Sequence, residues 1–331
     1  MKQGRGLDDL QARVREVHAL TSEYARLDHY LGQTSAPARA VLRLLALLDE
    51  AADLQLLREA WGHLSKALGA PWGEGDVTAL LAELDDRGLV EAVQDGHWGV
   101  LPVLRSRLVK PDGPHGMSRA DQRAAIRVIT GVLAGLARGL RQTVSEALKD
   151  EGRREEPAAR RSGEVLAYAT ACLRRGAALA VRSGEVDLAS QVMEGYLNHA
   201  DAETRSLIWA LLEQYVEALD AGDLEGDVES YGIAYGVAGR GFLLLRAWTV
   251  ALECYERSAT LCEDAGEHRP LGITYHQIGM VWAEQREWTK ALDAYTTAID
   301  WFERTGQHHE LGGTYHQIGM VWAEQREWTK A

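Results

Sequence analysis

The sequence predicts a mainly α-helical protein with one small β element and an array of helix pairs towards its C-terminal end. Three observations carry that prediction. Residues 274–291, TYHQIGMVWAEQREWTKA, recur verbatim at 314–331, an offset of forty, and internal repetition at such a period marks stacked helical units. Apolar residues recur at spacings of three and four along most of the 331 residues. The composition favours helices over strands: Ala and Leu abound, while Pro numbers only seven and Phe only two, against ten Trp and eleven Tyr.

Leu7, Leu10, Val14, Val17, Leu20, Tyr24, Leu27 and Leu31 predict an amphipathic helix, which makes 1–35 an N-terminal helical segment. A second helix is expected from about Ala38 to Leu48 and a third over Leu54 to Leu68. A Pro71, Gly73, Gly75 turn then leads to Asp76, a suitable N-cap for a fourth helix ending near Arg87 and Gly88. The period next changes to two in LVEAV and HWGVL around Asp95-Gly96, which predicts a β-hairpin. Helices followed by a hairpin give 36–110 the layout of a winged helix. In such a domain the helix over Asp76 to Arg87 would enter the major groove, but it carries Asp76, Glu83, Asp85 and Asp86 against Arg87 alone. The whole segment holds eleven acidic and eight basic residues, a balance that argues against nucleic acid and for packing on protein.

PDGPHGMS at 111–118 is expected to be a linker, and 119–231 a helical connector. The stripe Ile126, Ile129, Leu133, Leu136, Leu140, Val144, Leu148 predicts a long helix up to Lys149. Gly131, Gly135 and Gly139 share one of its faces, where close approach of a neighbouring backbone would compensate for their helix-breaking cost. The charged run 150–163 is expected to be an exposed loop.

A shift of forty also places Tyr235, Gly239, Trp248, Ala251, Leu252, Tyr255 and Gly266 under Tyr275, Gly279, Trp288, Ala291, Leu292, Tyr295 and Gly306. Within a repeat, Tyr275, Ile278 and Trp282 line one helix, Gly279 permits close packing, and Ala291, Tyr295 and Ala298 form the facing stripe of a second. This pattern resembles the tetratricopeptide repeat: Tyr275, Ile278, Gly279, Trp282 for helix A and Ala291, Tyr295, Ala298 for helix B. The resemblance covers 232–331, with the last repeat expected to be truncated after its helix A. Residues 170–203 resemble a degenerate earlier copy through Ala177, Ala189, Met193 and Tyr196.

The tetratricopeptide resemblance implies a concave groove lined by helix A of each repeat. Residue by residue it assigns Ile273, His276, Gln277, Met280 and Glu284 to that groove, with Gly313, His316, Gln317, Met320 and Glu324 in the next copy and Arg240 in the earlier one. Paired polar groups beside polarisable Met suit an extended or helical peptide. Trp282, Trp288, Trp322 and Trp328 are expected to pack between helices rather than build an aromatic cage.

The order winged helix, connector, repeat array is similar to the C-terminal part of STAND signalling NTPases, bacterial relatives of NLR-type switches. That resemblance rests on 38–48, 80–93 and 97–108. It implies a sensor and relay segment of a signalling switch in bacterial defence or regulation, with an NTPase module in the parent protein. No GxxxxGK[ST] phosphate loop occurs in this chain, so it offers no P-loop nucleotide site of its own.

The net charge of −13 is uneven: residues 163–231 carry thirteen acidic and four basic side chains, 111–162 seven and ten. Cys172, Cys254 and Cys262 form no zinc spacing and no closed disulfide set, which fits a reducing cytoplasm. Each helical copy supplies a single His (His276, His316), with His268, His308 and His309 near the junctions, so no metal or other cofactor is expected. No GxSxG or HExxH motif and no paired nucleophile points to an enzyme. No apolar run reaches a membrane span. The expected partner is therefore a protein or peptide ligand. A winged-helix transcription regulator with a repeat sensor and a passive interaction scaffold stand as alternatives.

Overall fold

A computed structural model describes residues 23–93, 96–110, 115–150, 156–198 and 205–325. The chain divides into two compact units, Met1–Leu133 and Ala134–Ala331.

The first unit contains α1 (Glu23–Gln33), α2 (Ala36–Leu48), β1 (Ala52–Asp53), α3 (Leu54–Leu68), α4 (Val77–Asp85), β2 (Val90–Val93), β3 (His97–Val100), α5 (Pro102–Val109) and the start of α6 (Arg119–Asp150). Helix α2 is its centre. Ser35 caps it by accepting from Ala38 N at 3.2 Å, Pro37 sits in its first turn, and nine of its residues, Leu42, Leu44 and Leu47 among them, are buried. Asp53 caps α3 by accepting from Leu56 N at 2.9 Å, and Asp76 caps α4 by accepting from Thr78 N and Ala79 N. Glu83 of α4 accepts from Ser35 N at 3.0 Å and from Ser35 Oγ at 2.8 Å, so one acidic side chain of the fourth helix is engaged within the fold.

The strands form an antiparallel sheet in the order β1-β3-β2, with Val90 opposite Val100, Val93 opposite His97, and Ala52 opposite Trp98. From α2 onward the element order is helix, strand, two helices and two strands, a small sheet set among helices. Strand β1 goes beyond the expected hairpin, because two residues are too short to show an alternating pattern. The Gln94-Asp95 part of the hairpin turn, the first half of the expected linker (111–114), the first 22 residues and the final 326–331, Trp328 included, lie outside the described residues.

The second unit continues α6 and adds α7 (Glu156–Arg182), α8 (Val186–Leu197), α9 (Arg205–Ala221), α10 (Val228–Leu244), α11 (Trp248–Ala265), α12 (Arg269–Glu284), α13 (Trp288–Arg304) and α14 (His308–Glu324). Two expectations for the connector change. Helix α7 begins inside the supposed loop at 150–163, since Glu, Ala and Arg are good helix formers and Pro157 falls in the first turn, where no intrahelical N–H is needed. Gly131, Gly135 and Gly139 are exposed, and among the described residues nothing lies within 4 Å of a Cβ added at any of them, so no described backbone approaches that face.

Helices α10 with α11 and α12 with α13 form packed pairs, and α14 stacks on α13. Asp227 caps α10 by accepting from Ser230 N at 2.8 Å, while Gly266 and Gly306, both at φ 71°, end α11 and the turn after α13. Within each pair the contact is set by glycine against tyrosine. A Cβ on Gly239 would stand 2.8 Å from the Tyr255 ring, and one on Gly279 would stand 2.5 Å from the Tyr295 ring. Tyr215 of α9 lies forty residues before Tyr255 and is equally buried, so the tyrosine period runs one unit further towards the N-terminus. Helices α7 and α8 also pack as a pair, burying Ala177, Ala189, Met193 and Tyr196. Among the described residues no helix is long and apolar enough to cross a membrane.

Candidate functional site

Successive A helices, α10, α12 and α14, present equivalent positions forty residues apart. Leu271, Ile278 and Val281 face the core of the array, which leaves Ile273, Gln277, Met280 and Glu284 on another face of the same helix.

A cavity of about 520 Å³ opens between α10 and α12, with Glu194 of α8 at its edge. Its apolar lining is Ile233, Val237, Ile273 and Pro270, and its polar lining includes Arg240, Gln277, Ser258, Thr274, Glu229, Glu267 and Arg269. Ile233 and Ile273 are 43% and 47% exposed, a large apolar exposure for residues of one cleft. Arg240 donates to Glu194 Oε1 at 3.2 Å and also to Asn198 Oδ1, which fixes the guanidinium at the rim. At the base the Tyr255 hydroxyl donates to Gln277 Oε1 at 3.4 Å. Burial pushes the Tyr255 phenol above its ordinary pKa, with Arg240 opposing, so the hydroxyl stays protonated and serves as a donor.

A smaller cavity of about 330 Å³ lies between α12 and α14, lined by Met280, Ala283, Glu284, Arg286, Trp288, Tyr295, Gln317, Met320, Val321 and Glu324. Burial, with Glu284 adding to it, raises the Tyr295 phenol above its usual value, and its buried hydroxyl meets no partner among the described residues. Trp282 and Trp288 pack on the cluster of Ala291, Tyr295 and Val321, and Lys290 Nζ stands 4.3 Å from the Trp282 ring centroid.

The expected groove residues thus fall in three places. Arg240, Ile273 and Gln277 line the larger cavity, and Met280, Glu284, Gln317, Met320 and Glu324 the smaller. His276, Gly313 and His316 line neither. His276 is held between repeats: Nδ1 lies 2.9 Å from Thr314 Oγ1 and the imidazole tilts over Tyr295 at 5.6 Å between centroids. Burial lowers its pKa from the usual imidazole value, with Glu310 opposing. Gly313 and His316 are exposed on α14. Sequence reasoning missed Ile233, Gly236 and Val237, although the shift of forty that yields Arg240 from Met280 yields all three from Ile273, His276 and Gln277. It also missed Ser258 and Tyr255, which reach the cavity from helix B behind it.

No family model matches the chain, and no curated protein matches it. Among solved structures, it is similar to a Signal Transduction ATPase with Numerous Domains (STAND) protein with a tetratricopeptide repeat sensor from Pyrococcus horikoshii, at 12% identity and TM-score 0.31, covering 92% of this chain. It is also similar to the apo form of RapI, at 11% identity and TM-score 0.34, covering 83% of this chain and 72% of that one. The chain spans 56% of the STAND protein's length, and at these values the likeness carries no argument about function.

Proposed function

We propose that this chain binds a peptide segment of a partner protein along the faces of its A helices, as the sensor and relay part of a STAND-like switch. The observation that carries the reading is the cleft between α10 and α12, where exposed Ile233 and Ile273 lie beside fixed polar groups at Arg240 and Gln277. An apolar floor with a few oriented donors is the usual construction of a peptide or small-ligand site. In this reading Met280, Glu284, Gln317, Met320 and Glu324 extend the binding surface to the next junction, and Gly313 and His316 border it. His276 contributes by holding α12 against α14.

A displayed library of random peptides, selected on the whole chain, tests the binding. Selected peptides should bind the I273A and Q277A variants about tenfold or more weakly, as loss of apolar contact or of an oriented donor requires. Equal binding to both variants would overturn the groove. The switch is tested by fusing a phosphate-loop NTPase module of a STAND protein upstream and measuring nucleotide turnover. A selected peptide should change that turnover, because relay needs different affinities for two states, and an unchanged rate removes the relay role.

A further inference from the structure

The two A-helix junctions are built from equivalent positions, yet the larger cavity exists at only one of them among the described residues. The lining differs at several positions forty residues apart, and two of these bear on the space beside the buried tyrosine. At the α12–α14 junction position 276 is His, and its ring tilts over Tyr295 and reaches Thr314. At the α10–α12 junction the equivalent residue is Gly236, which has no side chain to lie against the Tyr255 ring, and Tyr255 lines the cavity. The second lies at the helix B position behind it. Thr314 turns to His276, and the helix B residue behind it is Ala298. Thr274, lacking a histidine, lies 3.4 Å from the Ser258 hydroxyl, which occupies the position of Ala298. A Cβ on Gly236 would already stand 3.3 Å from Ser258 Oγ, so the glycine keeps the space open and the serine lines it with a hydroxyl.

The lining indicates what fills it. Ile233 and Ile273 flank the opening, and the amide nitrogen of Gln277 remains available after its oxygen has accepted from Tyr255, a donor for a main-chain carbonyl. Three carboxylates, Glu194, Glu229 and Glu267, face two guanidiniums, and Arg240 is already tied to Glu194 and Asn198. The chain as a whole carries −13. Both facts favour a cationic neighbour and disfavour an acidic one. We propose that Gly236 opens, and Ser258 lines, a specificity pocket for a branched aliphatic residue adjacent to a basic group on the partner peptide, and that His276 closes the equivalent place at the next junction. The inference deepens the peptide-binding reading and rests on it for the biological occupant.

The probe is L-leucinamide, which combines an isobutyl side chain, a carbonyl and an α-ammonium group; 4-methylpentanoate, with the same side chain on an anion, is the control. Titrated into the full chain with labelled isoleucine methyls, leucinamide should give saturable shifts at Ile233 and Ile273, and 4-methylpentanoate should bind several-fold more weakly. The G236H/S258A variant transplants the residues the next repeat carries at these positions and should lose the shifts. Should it not fold, I273G, which copies Gly313 at an exposed site, removes one wall and should lose the shift at Ile233. No saturable shift in the unmodified chain, undiminished binding to these variants, or equal binding of the anion would each overturn the pocket. Peptides selected on the chain separate the two readings. If leucinamide binds as stated and no peptide is enriched, the groove reading fails and the pocket stands. If enriched peptides bind G236H/S258A as well as the unmodified chain, the pocket fails and the groove stands.

Discussion

At position 279 the absence of a side chain is a packing requirement, since an added methyl would sit 2.5 Å from Cδ1 and Cε1 of Tyr295 in the core of the pair. G279A is expected to destabilise the chain by about 1–3 kcal/mol, the usual cost of overfilling a packed site, read from urea unfolding. His276 has a different consequence. Its imidazole pKa is held low by burial, so the unfolded chain binds the proton more readily than the folded one. Its contribution to stability is therefore present above the ordinary imidazole pKa and is lost as the pH falls through that value towards the depressed one. The thermal midpoint should drop between about pH 7.5 and about pH 5.5, and drop less in H276Q, which does not titrate there. A flat difference between the two proteins would contradict the assignment. The tyrosine–glycine contacts were legible as a forty-residue shift, whereas the role of His276 was not. Its sequence position falls on the groove face, and only the Thr314 contact reveals that it bridges repeats.

At the scale of elements, periodicity located the helices, and Asp76, the cap expected from the sequence, accepts from Thr78 N and Ala79 N, while Ser35 and Asp53 cap helices whose starts were read from periodicity alone. Legibility ended where local chemistry is silent. The two residues of β1 pair only because β3 is beside them, and the start of α7 lies in a charged run that reads equally as loop. The glycines of α6 misled in the other direction, for their face is exposed and their cost uncompensated. G135A should stabilise by roughly 0.5–1 kcal/mol, measured as a rise in the thermal midpoint. The turns joining helices A and B hold another correctable strain. Arg246 and Arg286 sit at φ 58° and 61°, the left-handed region in which a Cβ is crowded. R286G should yield a net gain of roughly 0.5–1 kcal/mol after the added freedom of the unfolded glycine is subtracted, and no gain in the same melting experiment would place the strain elsewhere.

For the whole molecule, charge is the property that reads most directly from sequence. A chain at −13, whose fourth helix carries Glu83 tied to Ser35 rather than offered to a base edge, has little to neutralise phosphates. Fluorescence anisotropy with duplex DNA should give no saturable binding at about 0.15 M salt, and tight, salt-dependent binding would restore the transcription-regulator alternative. The array contributes a second whole-molecule property. Residues 274–291 and 314–331 are identical, so excision between the two copies removes one forty-residue unit and rejoins the chain with no altered residue at the seam. What disappears in such an event is the α12–α14 junction, closed by His276. The junction containing Gly236 and Ser258 draws its walls from residues that are upstream of the copies or identical in both, so it keeps every one of them. Repeat number and the make-up of this cleft are thus decoupled: the chain can lose a forty-residue unit while the cleft between α10 and α12 retains its lining.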